Sequence, residues 1–141
     1  GNILVSVKDS DKTIVKNYIK ELHDLGFKIF ATKGTADFLK THGLNCKKLK
    51  KFIEGSPNIV DYMNQGKIDL IFNTTEGSQA IKDSFTLRRA AINNKIPYYT
   101  TMAGSRALVE AIKTMITKDL EVSSLQKFYK KEKLGHIIEL I

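Results

Sequence analysis

Only one cysteine, Cys46, occurs in the chain, so no intramolecular disulfide can form, which fits a reducing compartment. Flanked by Leu44 and Leu49, its thiol reads as a small core group rather than a reactive one. No apolar run approaches the roughly 20 residues of a membrane span, and no secretory leader is recognisable. A cytoplasmic location without a membrane partner is therefore expected. Aromatic stacking platforms and recognised nucleic-acid modules are also lacking, so the formal charge of +8 does not by itself imply nucleic acid. Much of the excess lies in Lys47-Lys48-Leu49-Lys50-Lys51 and in the carboxy-terminal tail, where it reads as solvated surface. Histidine is scarce and poorly placed for catalysis. His23 falls inside the first predicted helix, His42 near the end of the second and His136 in the tail.

With 141 residues, the chain is about one domain's worth. Strand and helix signals alternate from the start. Ile3 to Val7 reads as a buried strand, and Asp9-Ser10-Asp11 offers N-cap oxygens for a helix carrying Ile14, Val15, Tyr18, Ile19, Leu22 and Leu25 up to Gly26. Phe27 to Ala31 is the second strand. A short helix ending at Gly43 follows, then a weaker strand near Cys46 to Leu49 and a turn over Glu54 to Asn58. A helix from Ile59 closes at Gly66, and Asp69 to Asn73 is a strong strand leading into the polar loop Thr74 to Ser78. A helix from about Ser84 to Asn94, a strand from Ile96 to Thr101 and a last helix opening at Gly104 complete the pattern. The alternation predicts a three-layer α/β sandwich, a mostly parallel sheet with helices on both faces. One domain over residues 1–130 with a basic tail at 131–141 is expected.

Ligands of such sheets bind at the carboxyl ends of the strands. Four polar segments should converge there: Lys8 to Lys12, Thr32-Lys33-Gly34-Thr35, Asn73-Thr74-Thr75 and Thr100-Thr101. Threonine hydroxyls, a glycine that lets backbone approach an anion, and a helix N-terminus suit an oxyanion such as phosphate, with Lys12 and Lys51 adding charge. Each segment alone is also an ordinary cap or turn. Their joint placement favours binding.

In order along residues 1 to 130, the chain resembles the methylglyoxal-synthase-like domain family. Within it, the resemblance is to the carboxy-terminal regulatory domain of the carbamoyl phosphate synthetase large chain. It is carried by Leu4-Val5-Ser6-Val7 with Asp11-Lys12, by Gly26-Phe27 leading to Ala31-Thr32-Lys33-Gly34-Thr35-Ala36, and by Lys51 before Glu54-Gly55-Ser56-Pro57. Further along, Ile71-Phe72-Asn73-Thr74-Thr75, Ala80 to Ser84, Leu87 to Ala91 and Tyr99-Thr100-Thr101 continue it.

The resemblance implies an allosteric domain that binds uridine or inosine monophosphate and is not catalytic by itself. Lys12, Thr32, Gly34, Thr35 and Lys51 match the phosphate positions. Ser6, Lys33, Asn73, Thr74, Thr75 and Asp83 match the rest of the effector pocket, and Thr100 an activator contact. No cofactor is expected in the domain; ATP with Mg or Mn serves the whole synthetase, which makes carbamoyl phosphate for pyrimidines and arginine. The implied partners are the remaining large-chain domains and the glutaminase small chain, and a homo-oligomer is compatible. The sequence lacks the ATP-grasp segments and is expected to be an excised regulatory domain. A methylglyoxal-synthase-like lyase acting on a triose phosphate is the alternative. Against it, the slot of the catalytic aspartate in those enzymes falls on Ser56, and that of a histidine on Lys8. Tyr99 stands where relatives carry an aspartate that helps hold ornithine, and Ser78 and Gln79 where some carry basic residues.

Overall fold

The computed structural model describes residues 1–75 and 78–122. Five strands, β1 (Asn2–Ser6), β2 (Lys28–Thr32), β3 (Lys47–Leu49), β4 (Leu70–Asn73) and β5 (Tyr98–Tyr99), form one sheet in the order β3-β2-β1-β4-β5. Every pairing is parallel. The central stretches of β1, β2 and β4 are apolar because both faces are covered there, and the polar residues fall at strand ends and on the edge strand β3.

Alternation along each strand divides the core in two. Ile3, Val5, Ile29, Ala31, Leu70 and Phe72 pack beneath α1 (Asp9–Asp24), α2 (Lys33–Thr41) and α5 (Met102–Val122). Leu4, Phe30, Leu49 and Ile71 face α3 (Ile59–Asn64) and α4 (Ser78–Asn93). Complete burial of a side chain such as Phe72 is worth about 1.5–3 kcal/mol, which makes this central layer the main source of stability. The chain winds outward from β1 through β2 to β3, then returns to β4 on the other side of β1. That reversal opens a crevice at the carboxyl ends of β1 and β4. Ser6 pairs with Asn73 in register, so both strands end at its mouth.

Local expectations are corrected in five places. Helix α1 begins at Asp9 with Lys8 as its N-cap, so Asp9 and Asp11 act as first-turn carboxylates facing the helix dipole rather than as caps. Helix α4 begins at Ser78, not near Ser84, which places Asp83 inside the helix. β5 is only Tyr98–Tyr99, and α5 starts at Met102, two residues before Gly104. Phe52–Glu54 forms one turn of 3-10 helix before the turn expected at 54–58. His136, the tail at 131–141 and the domain limit at residue 130 lie outside the described residues.

Candidate functional site

The ends of β1, β2 and β4 surround a cavity of about 320 Å³. Of the residues singled out from the sequence, Ser6, Lys12, Thr32, Gly34, Thr35, Lys51, Asn73, Thr74, Thr75 and Asp83 line it. Lys33 does not; its side chain is exposed on the first turn of α2. Thr100 lines a neighbouring cavity of about 430 Å³ that shares Lys8, Asn73, Thr74, Thr75 and Ser84 with the first. Ser56 is exposed and outside the lining, whereas Lys8 borders both cavities.

Hydrogen bonds fix the rim before any ligand enters. The Thr32 hydroxyl donates to Ser6 Oγ at 2.9 Å, tying the ends of β1 and β2 and leaving the Ser6 proton available to an acceptor in the cavity. Thr35, buried in the first turn of α2, accepts from the Val7 N–H at 3.1 Å. Thr74 Oγ1 accepts from the Lys8 N–H at 3.1 Å, and its own N–H donates to the Ser6 carbonyl at 3.0 Å. Asn73 Nδ2 donates to Ser84 Oγ at 3.0 Å and to the Tyr98 hydroxyl. Burial holds that phenol above its usual pKa, keeping it neutral.

Two helices point uncapped N-termini at this rim. Neither Lys8, the N-cap of α1, nor Thr32, the N-cap of α2, makes a side-chain capping bond. A lysine cannot accept, and the Thr32 hydroxyl is directed to Ser6. By contrast, Asn58 caps α3 with bonds from Val60 N at 2.9 Å and Asp61 N at 3.2 Å. Apart from the Asp11 N–H, which donates to the Lys8 carbonyl at 3.0 Å, the first-turn N–H groups of α1 and α2 therefore remain suited to an external anion.

Lysine placement strengthens this polarity. A Cβ on Gly34 would stand 3.3 Å from Lys12 Nζ, so the ammonium lies against the start of α2. A cation beside the positive end of a helix is unfavourable unless negative charge sits between them. Asp9 supplies some, forming an ion pair with Lys12 from the solvent side. The hydrogen bond and then the charge of Lys12 hold the Asp9 carboxyl below its ordinary pKa.

Sequence reasoning missed Val7, Ile59, Ser84 and Leu87 as lining residues. Asp83, Ser84 and Leu87 follow once the helix is started at Ser78, since positions i, i+1 and i+4 share one side of a turn. Among the described residues, no group of three His, Cys, Asp or Glu side chains could hold a metal ion, and no helix is long and apolar enough to cross a membrane.

Residues 15–100 match the model of the MGS-like domain family. The chain belongs to that family. It is 46% identical over 129 residues to the carbamoyl phosphate synthase large chain of Rhizobium meliloti (strain 1021), covering 92% of this chain and 11% of the relative. The C-terminal section of the large chain from Methanopyrus kandleri is 45% identical over 131 residues, covering 92% of this chain and 24% of the relative. The chain thus spans between about a tenth and a quarter of the length of these relatives, and its homology is to their C-terminal MGS-like section. Among solved structures, methylglyoxal synthase from Elizabethkingia anophelis NUHP1 superposes with a TM-score of 0.62 at 14% identity, over 77% of this chain and 76% of that one. ForH superposes at 0.63 and 14%, over 96% and 90%. Both likenesses establish the three-layer fold.

Proposed function

We propose that this chain is the allosteric section of a carbamoyl phosphate synthase large chain and that its cavity binds a nucleoside monophosphate of the uridine or inosine type. The observation that carries the reading is the convergence of two uncapped helix N-termini with Lys12 and Lys51 on one cavity. The effector's phosphate sits over the first turn of α2, receiving N–H groups there and the Lys12 and Lys51 ammoniums. Thr32 and Thr35 position that turn, and Gly34 admits Lys12. Asn73, Ser84 and Asp83 offer amide, hydroxyl and carboxylate partners to ribose and base.

Control is exerted over carbamoyl phosphate synthesis for pyrimidines and arginine. ATP with Mg or Mn and the glutaminase small chain act elsewhere in the synthetase, in the cytoplasm. The domain does no chemistry itself. Homology to synthase sections disfavours the triose-phosphate lyase reading.

Calorimetry with uridine monophosphate, inosine monophosphate and the two nucleosides tests the site. The monophosphates are expected to bind and the nucleosides to bind far more weakly. Equal affinities would overturn the phosphate cradle.

A further inference from the structure

Large apolar side chains left exposed by the described residues are concentrated on two elements in contact with each other. All but Ile14 lie on the 3-10 turn or on α4: Phe52, Ile53, Ile81, Phe85 and Ile92. Phe85 and Ile92 are 69% and 68% exposed, although they stand two helical turns apart on one stripe. The opposite side of α4 buries Leu87, Ala90 and Ala91 against the sheet. A helix apolar on both sides is usually covered on both. Between Phe52 and α4 runs a groove lined by Phe52, Phe85, Thr86, Arg88, Arg89 and Ile92, with two arginines and, among the described residues, no carboxylate in its lining.

We infer that this groove docks an apolar, acid-rimmed surface of another part of the synthase large chain, and that α4 carries the effector signal to it. The inference rests on the proposed effector role. Charge selects the occupant. A second copy packed face to face would oppose Arg88 and Arg89 to their own equivalents, which costs affinity, whereas a carboxylate rim complements them. The homologous large chains extend several-fold beyond this section, so such a surface can be present in the same polypeptide at high effective concentration. The helix also has the right geometry for coupling. Asp83, Ser84 and Leu87 line the effector cavity, while Phe85, Arg89 and Ile92 belong to the groove, so a ligand that shifts α4 alters both surfaces.

Hydrogen-exchange mass spectrometry on a large chain carrying this sequence as its C-terminal section, and on the 141-residue chain alone, tests the inference. Peptides covering 81–93 should exchange about tenfold more slowly in the large chain. Ile92→Glu and Arg89→Glu should each remove that protection and weaken the nucleotide's effect on synthase activity, while leaving nucleotide affinity of the 141-residue chain unchanged. Circular dichroism checks that the variants fold. Equal exchange in both proteins would overturn the docking surface. Concentration-dependent dimerisation of the 141-residue chain in sedimentation, abolished by Ile92→Glu, would overturn the assigned occupant in favour of a second copy. Absence of nucleotide binding in calorimetry would instead strike the effector role and leave the exchange result to decide docking.

Discussion

The Lys12 ammonium stands 3.3 Å from the position of the missing Cβ of Gly34, so a side chain there would press it back by a few tenths of an ångström. Gly34 lies in the first turn of α2 without a positive φ, so its backbone does not require glycine. Gly34→Ala should therefore stabilise the fold, by about 0.5–1 kcal/mol from reduced unfolded-state entropy and better helix propensity. Nucleotide affinity should fall in the same variant, because Lys12 must retreat. Urea denaturation and calorimetry on one preparation check both signs. Unchanged affinity would show that Lys12 does not meet the ligand at that spot.

On the proposed reading, Asp9 competes with the effector's phosphate for Lys12. The lysine side chain is 16% exposed and the aspartate 91%, so the cation is fixed in the rim while its partner stands in solvent. Asp9→Asn should tighten monophosphate binding, on the order of threefold to tenfold at low salt, with the gain shrinking as salt is added. Asp9 also has a pH signature. A carboxyl whose folded pKa is depressed contributes stability above its ordinary value of 3.8 and loses it as pH falls through the lower folded value. Wild type and Asp9→Asn should therefore converge in stability on the acid side of that window. A pH series of denaturation curves reads this directly.

The central strands were legible because each holds a short apolar run, and two of them follow residues that stop a helix, as Ile29 to Ala31 follow Gly26 and Leu70 to Phe72 follow Gly66. Positive φ at those two glycines, +98° and +71°, explains why the breaks fall there. The joint placement of Ser6, Thr32 and Asn73 was legible too, since parallel strands in alternation with helices put all their carboxyl ends on one side. Helix α4 was mis-started because Ser78 and Gln79 carry no apolar periodicity. That error concealed Ser84 and Leu87. Lys33 was misplaced for another reason: side chains in a first helical turn radiate in different directions, and adjacency to Gly34 and Thr35 does not set a shared one.

Thr35 holds the rim together as well as standing beside it. Its buried hydroxyl accepts the Val7 N–H, and nearly isosteric Thr35→Val leaves that donor without a partner. The expected cost is about 1–3 kcal/mol of stability, with Thr35→Ser retaining most of it. Lys51→Ala should behave differently, since Lys51 is only half-buried: affinity should fall with little change in denaturation midpoint. A Thr35→Val protein as stable as wild type would mean that the Val7 N–H finds another acceptor.

Burial holds the Cys46 thiol above its ordinary pKa, and its Sγ–H points to the Ala36 carbonyl at 3.7 Å. The thiolate is the reacting form, so Cys46 should react with a disulfide reagent at pH 8 far more slowly than in the unfolded chain. The raised folded pKa also fixes a sign on the alkaline side. Its contribution to stability is present below the unfolded pKa and is lost as pH rises through the folded one. Rapid modification of the folded protein would contradict the packed position of β3 against α2.

Proton abstraction from dihydroxyacetone phosphate needs a carboxylate free to take the proton at hydrogen-bond distance from the substrate carbon. Ser56, which stands in the base's sequence slot, is exposed outside the cavity and carries no carboxyl group. Asp9 is engaged by Lys12, whose hydrogen bond lowers its pKa and so makes it a weaker base than an ordinary aspartate. Among the described residues, Asp83 is the other carboxylate that lines the cavity. The chain is expected to release no methylglyoxal from the triose phosphate, and Asp83→Asn should weaken nucleotide binding instead. A colorimetric assay for methylglyoxal over hours, with calorimetry on the same variant, separates the two roles. Turnover that Asp83→Asn abolishes would make this aspartate a base and the cavity an active site.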